Sequence, residues 1–154
     1  MFSWANIRNA HYNPLGIVPA SEYRFPFPND SFDFVYLTSV FTHMLPPDLD
    51  NYLSEISRVL RPGGHVLMTM FLMNDESLLC IAERKSFLEF SRTTHGHYVG
   101  DPSDPEAAVG YEELVIRNRM SSVGPPITQP IAIGAWPGRM RFTSYQDIPV
   151  AQKR

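Results

Sequence analysis

Phe32-Asp33-Phe34-Val35-Tyr36-Leu37 and Val66-Leu67-Met68-Thr69-Met70-Phe71-Leu72 are two apolar runs of strand length, and the residues between them decide the fold. The first run is apolar on both alternating faces, apart from Asp33 near its start. A strand buried on both faces belongs in a parallel sheet covered by helices. After Pro46-Pro47, the residues Leu49, Tyr52, Leu53, Ile56, Val59 and Leu60 follow helical spacing. Pro47 suits a first helical turn, and Asp48 and Asp50 suit its positive end. Arg58 and Arg61 suit the other end, and Pro62-Gly63-Gly64 stops the helix and supplies the left-handed geometry of its exit. The spacing therefore predicts a strand over residues 32–40, a helix over 48–60 and a strand over 65–72. Together these form a βαβ unit of an α/β protein.

Upstream, prolines at alternate positions in Phe25-Pro26-Phe27-Pro28-Asn29-Asp30 force extended backbone and predict an ordered loop. Asn13-Pro14-Leu15-Gly16 reads as a turn, and Met1 to Ile7 as a short strand. Downstream, residues 76–90 read as a helix and 93–103 as a loop. Asp104-Pro105-Glu106 has the pattern of a helix start, and Ala107, Ala108, Tyr111, Leu114 and Val115 would form one face of the helix that follows. Residues 131–136 and 144–151 are candidate strands joined around Pro137-Gly138-Arg139. With no helix between them they predict an antiparallel hairpin, with a bulge or early end at Pro149.

The 154 residues suffice for one domain with a core. An apolar share of 44%, a charged share of 19% and a net charge of −3 are globular values and provide no basic field for nucleic acid. Cys80 alone excludes an internal disulfide, and its neighbours Leu78, Leu79 and Ile81 make it a small core residue. Residues 152–154 read as a solvated basic end. No signal-peptide pattern opens the chain, and no apolar run approaches the roughly 20 residues of a membrane helix, so a soluble cytoplasmic protein is the default.

Phe25-Pro26-Phe27-Pro28-Asn29-Asp30-Ser31-Phe32-Asp33-Phe34-Val35 resembles the LPF-x-x-x-SFD-x-V segment of class I S-adenosylmethionine-dependent methyltransferases. Glu55-Ile56-Ser57-Arg58-Val59-Leu60-Arg61-Pro62-Gly63-Gly64 resembles their E-I-x-R-V-L-x-P-G-G segment, at the usual separation. The resemblance implies a Rossmann-like sheet of order 3-2-1-4-5-7-6. On that template residues 2–6 would be the third strand, 32–40 the fourth, 65–72 the fifth, and the final hairpin the sixth and seventh. The chain then reads as one N-terminally truncated domain over residues 1–154. Its motif-bearing core is 25–74, and 93–104 is a loop over the site. The glycine-rich turn with which the family grips its cofactor has no counterpart, because no G-x-G occurs in these residues.

Ligands of open parallel sheets bind beyond the carboxyl ends of the strands. By resemblance, Leu37, Thr38 and Ser39 would lie beside the methionine part of S-adenosylmethionine. Asn6 and Ile7 would lie where the family places an acid and its neighbour against the adenine. The alternatives are strand-end capping for Thr38 and Ser39 and a turn role for Asn6. If a base is used, His43 has the best position and a suitable ordinary pKa; its alternative is a packed or capping histidine before Pro46. Tyr98 and Tyr111 are candidates for substrate contact, and Asp33 and Glu55 are structural. His95 and His97 flank Gly96, which is the pattern of a solvated loop; no metal site is supported. The expected function is methyl transfer to an unidentified acceptor, with the isolated chain inactive for lack of the glycine turn. The alternative is a non-enzymatic module that needs a second chain. Self-association is expected through the open edge of the strand at 32–37.

Overall fold

The computed structural model describes residues 5–154. At its centre, strand β3 (Phe32–Leu37) leads through helix α1 (Pro46–Val59) into strand β4 (Leu60–Met68), and β3 and β4 pair in parallel. The βαβ unit is therefore as expected, with shifted ends. The first strand stops at Leu37 rather than at 40, because Ser39 turns the chain with a φ of 54°. The helix starts at Pro46, since a proline at the first position gives up only a donor that has no partner there.

The run Pro62-Gly63-Gly64 does not act as the helix exit. The helix ends at Val59, and Leu60 is already extended. Leu60 pairs with Phe32 and His65 with Phe34, so residues 61–64 bulge out of the ladder. Gly63 adopts a φ of 81° in that bulge, and its N–H donates to Lys153 O at 2.8 Å. The tail is accordingly anchored: Lys153 N–H donates to Gly64 O at 2.9 Å, and its ammonium reaches Asp30 and Leu60 O, each at 2.7 Å.

Downstream of β4, the expected strand over 65–72 is split. After Met68 the chain leaves the sheet, and β5 (Phe71–Met73) joins a second sheet. Helix α2 (Asp75–Ala82) follows, started by reciprocal bonds between Asn74 and Ser77. It ends well before 90. Beyond it the chain turns at Glu83 and Arg84 and bends at Phe87 and Leu88, and Leu88 and Phe90 join the cluster of Phe71 and Trp136. Cys80 on this helix is half-buried rather than core.

The expected loop over 93–103 contains structure. Strands β6 (Ser91–Arg92) and β7 (Tyr98–Val99) pair antiparallel. The helix expected after Asp104 is only a 3-10 turn over Pro105–Ala107, followed by strand β8 (Val109–Glu112). Pairing explains this: Val109 to Glu112 lie between β5 and β7, with Gly110 opposite both Phe71 and Tyr98. Helix α3 (Glu113–Val123) then buries Ile116 and Met120 and leaves Leu114 exposed.

The tail forms the expected hairpin in shifted registers, β9 (Ile127–Ala132) and β10 (Ile148–Gln152). The pairing slips between Ile148 and Val150, around Pro149. Strand β10 lies antiparallel between β4 and β9, giving the order β3-β4-β10-β9, which corresponds to 4-5-7-6 of the expected order. The second sheet runs β5-β8-β7-β6. The expected third strand over 2–6 falls largely outside the described residues. Next to it, β1 (Ile7–Arg8) pairs in parallel with β2 (Val18–Pro19), a small sheet apart from the main one.

One core joins α1, β4, β8 and α3 through residues such as Leu49, Leu53, Ile56, Val66, Ile116 and Met120. Strand β3 is not buried on both faces as its composition suggested. Val35 and Leu37 pack on the core, while Phe34 and Tyr36 are 53% and 69% exposed.

Candidate functional site

The rim at the carboxyl end of β3 and β4 is built by a change of direction. Thr69 N–H donates to Leu37 O at 3.0 Å, and Ser39 N–H donates to Thr69 Oγ1 at 2.8 Å. Gln146, in the segment before β10, touches both Thr69 Oγ1 and Ser39 Oγ. Thr38 and Ser39 thus stand exposed at the strand end, and the Ser39 hydroxyl donates to Gln146. Neither Thr69 nor Gln146 was signalled by the sequence, since their meeting needs the turn at Ser39 and the return of the tail.

Asn6 and Ile7 are held by the turn that follows them. Asn13 Nδ2 donates to Asn6 Oδ1 at 3.0 Å and to Ile7 O at 2.8 Å. Gly16 N–H closes the turn on Asn13 O at 3.0 Å. Gly16 is required here, because a Cβ would lie 2.5 Å from Arg8 Cα. That close approach is to the chain's own backbone. Asn6 itself precedes the turn and braces it through its side chain.

His43 is positioned rather than capping α1. A carbonyl oxygen can only accept, so the contact of His43 Nδ1 with Glu106 O at 2.9 Å places the proton on Nδ1. Nε2 is left as an acceptor, 3.3 Å from Tyr12 Oη. Tyr12 and His11 crowd the same ring: Tyr12 meets it edge-on with centroids 4.8 Å apart, and His11 stacks at 6.3 Å. His11 is held by Asp104 at 2.6 Å, and Ala10 N–H donates to Glu106. Asn9 Nδ2 donates to His43 O at 2.9 Å. Residues 9–12 and 104–106, far apart in sequence, thus close around His43. Beside it, Thr42 Oγ1 is sealed and has no partner among the described residues.

Other sequence candidates go elsewhere. Tyr111 is buried and donates to Met44 O at 2.6 Å, and burial raises its pKa. Tyr98 belongs to the second core cluster. Both are buried and pack the fold. Glu55 and Arg58 form a double contact at 2.8 and 2.6 Å. Glu55 also accepts from Phe25 N–H at 2.8 Å, and Arg58 donates to Phe25 O at 3.0 Å and to Phe27 O at 2.8 Å. The two motifs are thus one latch, which ties the proline loop to α1. The hydrogen bond from Arg58 holds the Glu55 carboxyl below its usual range. Asp33 pairs with Arg61 at 2.6 Å on the exposed side, where such pairs contribute little.

His95 is exposed while His97 is buried. No group of three metal-ligating side chains occurs among the described residues. No helix among them is long and apolar enough to cross a membrane.

Residues 1–68 match the family model described as a methyltransferase domain. A sterol 24-C-methyltransferase of Gibberella zeae is 41% identical over 61 residues, which cover 40% of this chain and 16% of that protein. The chain therefore spans a small part of the length of that relative. Among solved structures, a methyltransferase of Methanosarcina mazei matches with a TM-score of 0.55 at 20% identity, over 90% of this chain and 68% of that one. The 1,6-didemethyltoxoflavin-N1-methyltransferase of Burkholderia thailandensis, solved with S-adenosylhomocysteine, matches with a TM-score of 0.53 at 15% identity. That match covers 88% of this chain and 48% of that one. Sequence match and shared α/β fold agree on one recognition.

Proposed function

We propose that this chain, recognised by its motif segment and its fold as a class I S-adenosylmethionine-dependent methyltransferase, contributes the methionine side of the cofactor site and the acceptor side of a methyl-transfer reaction. The observation that carries this is the rim Leu37-Thr38-Ser39, where Thr38 and Ser39 are exposed, at the end of the parallel pair whose order fits the family sheet. Those residues fit the amino-acid end of the cofactor. Ile7 and the amide of Asn6 fit its adenine, with the Asn6 oxygen already engaged by Asn13. The glycines present do not fit a cradle for the rest: Gly16 packs on backbone, and Gly63 sits in the β4 bulge.

When bound, S-adenosylmethionine supplies a methyl carbon open to in-line displacement, and the protein's part is chiefly proximity and orientation. His43 is the candidate proton acceptor, because its Nε2 lone pair is free of any carbonyl and is approached only by the Tyr12 hydroxyl among the described residues. The acceptor molecule itself is not specified by these residues.

Titration with S-adenosylhomocysteine, followed by calorimetry and amide NMR, tests the proposal. The 154-residue chain should bind weakly or not at all, because the missing donors would contribute roughly 1 kcal/mol or more each. Any shifts should centre on Ile7 and residues 37–39. Shifts centred elsewhere would overturn the site assignment, and micromolar binding with methyl transfer would overturn the need for a glycine turn.

A second reading, a module that pairs with another chain, is favoured by the edge of β3. Among the described residues β3 pairs with β4 alone, and Phe34 and Tyr36 stack in the open with centroids 6.4 Å apart.

A further inference from the structure

A cavity of about 580 Å³ lies between the start of α1 and the segment 93–105. Its walls are apolar: Leu45, Pro46, Pro47, Val99, Pro102 and Pro105 line it. Four of these are prolines, which present ring faces with no N–H and little freedom to collapse. No Asp, Glu, Lys or Arg is among the described residues that line it. The size is that of a small-molecule site.

Three polar residues, Thr93, His95 and His97, complete the lining, and His97 is the buried one. His97 is 8% exposed and lines the cavity. Its Nδ1 lies 3.1 Å from Thr93 Oγ1, and its Nε2 has no partner among the described residues. Nε2 is not sealed off, since Thr42 Oγ1 is the one side-chain atom among those residues that is both sealed and unpaired. The cavity is the open space that His97 lines. Thr93 Oγ1 already accepts from His95 N–H at 3.3 Å, and its proton has no acceptor among the described residues but His97 Nδ1. We assign the hydroxyl as donor to Nδ1, the tautomer that carries the ring proton on Nε2. Burial, with His95 nearby, lowers the His97 pKa and keeps the ring neutral. A ligand that displaced water from this cavity without offering an acceptor would leave that donor unpaired, so the arrangement suits a ligand that supplies one.

We propose that this cavity binds an uncharged, largely apolar ring compound with one hydrogen-bond acceptor, which receives the Nε2 proton of His97. The cavity adjoins His43, because Glu106, whose carbonyl holds the His43 ring, follows the lining residue Pro105. That the ligand is the methyl acceptor rests on the function proposed above; its binding does not.

The test is an NMR titration of the cofactor-free chain, followed at the Val99 methyls and the His97 ring, with acetophenone, toluene and benzoate as probes. Acetophenone should give saturable shifts at both residues. Toluene, which lacks the acceptor, should bind about threefold to tenfold more weakly. Benzoate should give no saturable shift, because a charge would be buried without a partner. In His97→Phe, acetophenone should fall to the toluene level while toluene is unchanged. Absence of saturable shifts with both neutral probes overturns the proposal, as does benzoate binding as tightly as acetophenone. Equal binding of acetophenone and toluene to the unsubstituted chain removes the role of His97, and that comparison stands even if the variant does not fold. Binding is read without methyl transfer, so failure of the proposed reaction leaves it intact.

Discussion

Asp147→Ala is expected to be among the most damaging single substitutions, because that carboxylate joins the two sheets. Asp147 is 1% exposed and both of its oxygens are fully used. Oδ1 accepts from Gly134 N–H at 2.8 Å and from Arg139 Nη1 at 2.9 Å. Oδ2 accepts from Leu72 N–H at 3.0 Å and from Trp136 Nε1 at 2.7 Å. The Asp147 backbone also exchanges two bonds with Met70, each 3.0 Å, where the chain crosses from one sheet to the other. Removing one member of a buried ion pair costs about 3–5 kcal/mol. The guanidinium keeps Glu76 at 2.8 Å and Asn74 at 3.2 Å, which offsets part of that loss. The indole and two backbone donors lose their acceptor, which adds to it. A net loss of about 4 kcal/mol is a large part of the roughly 5–15 kcal/mol of a typical domain. It corresponds to a Tm lower by about 8–16 °C at this chain length. Urea unfolding read by Trp fluorescence measures it, with the slope m unchanged. Asp147→Ala with Arg139→Ala should cost clearly less than the two single losses summed, because neither charge is then buried alone. A loss below about 1 kcal/mol for Asp147→Ala, or strict additivity in the double variant, would refute the assignment of this pair as the joint between the sheets.

Tyr36→Lys should reduce self-association seen by size-exclusion chromatography, since a lysine on an open edge discourages pairing; a monomer without the substitution would count against the edge as a contact. Val35 is unsuitable for that test, because it packs on the core. Glu55→Gln should flatten the acid limb of stability. The folded carboxyl titrates below its ordinary 4.5, so its contribution is present above that value and is lost as pH falls through the lowered pKa; an identical acid limb in the variant would show that Glu55 carries none of it. Gly134→Ala should cost at least about 1–3 kcal/mol in thermal or urea unfolding, because a Cβ would meet Gln146 C at 2.5 Å and Tyr145 O at 2.6 Å, both backbone; unchanged stability would contradict this packing.

The sequence by itself determined the βαβ unit, the terminal hairpin and the slip at Pro149. These follow from local rules: helical spacing from Leu49 to Val59, apolar strand runs and a proline that cannot donate. It also marked the strand-end rim at Leu37, Thr38 and Ser39. It did not reveal that the run from His65 to Leu72 serves two sheets, because the break at Thr69 and Met70 is imposed by Asp147 and the tail. Nor did it reveal that residues 109–112 form a strand, since their helical spacing was overridden by pairing with β5 and β7. The Glu55–Arg58 latch, the ring of His11, Tyr12 and Glu106 around His43, and the cavity with His97 all join residues distant in sequence. Such contacts leave no period that shows which partners meet, even where, as in the latch, each side lies in a recognised segment. They exist only once the chain has closed, when a buried polar group must find whichever partner the packing brings to it.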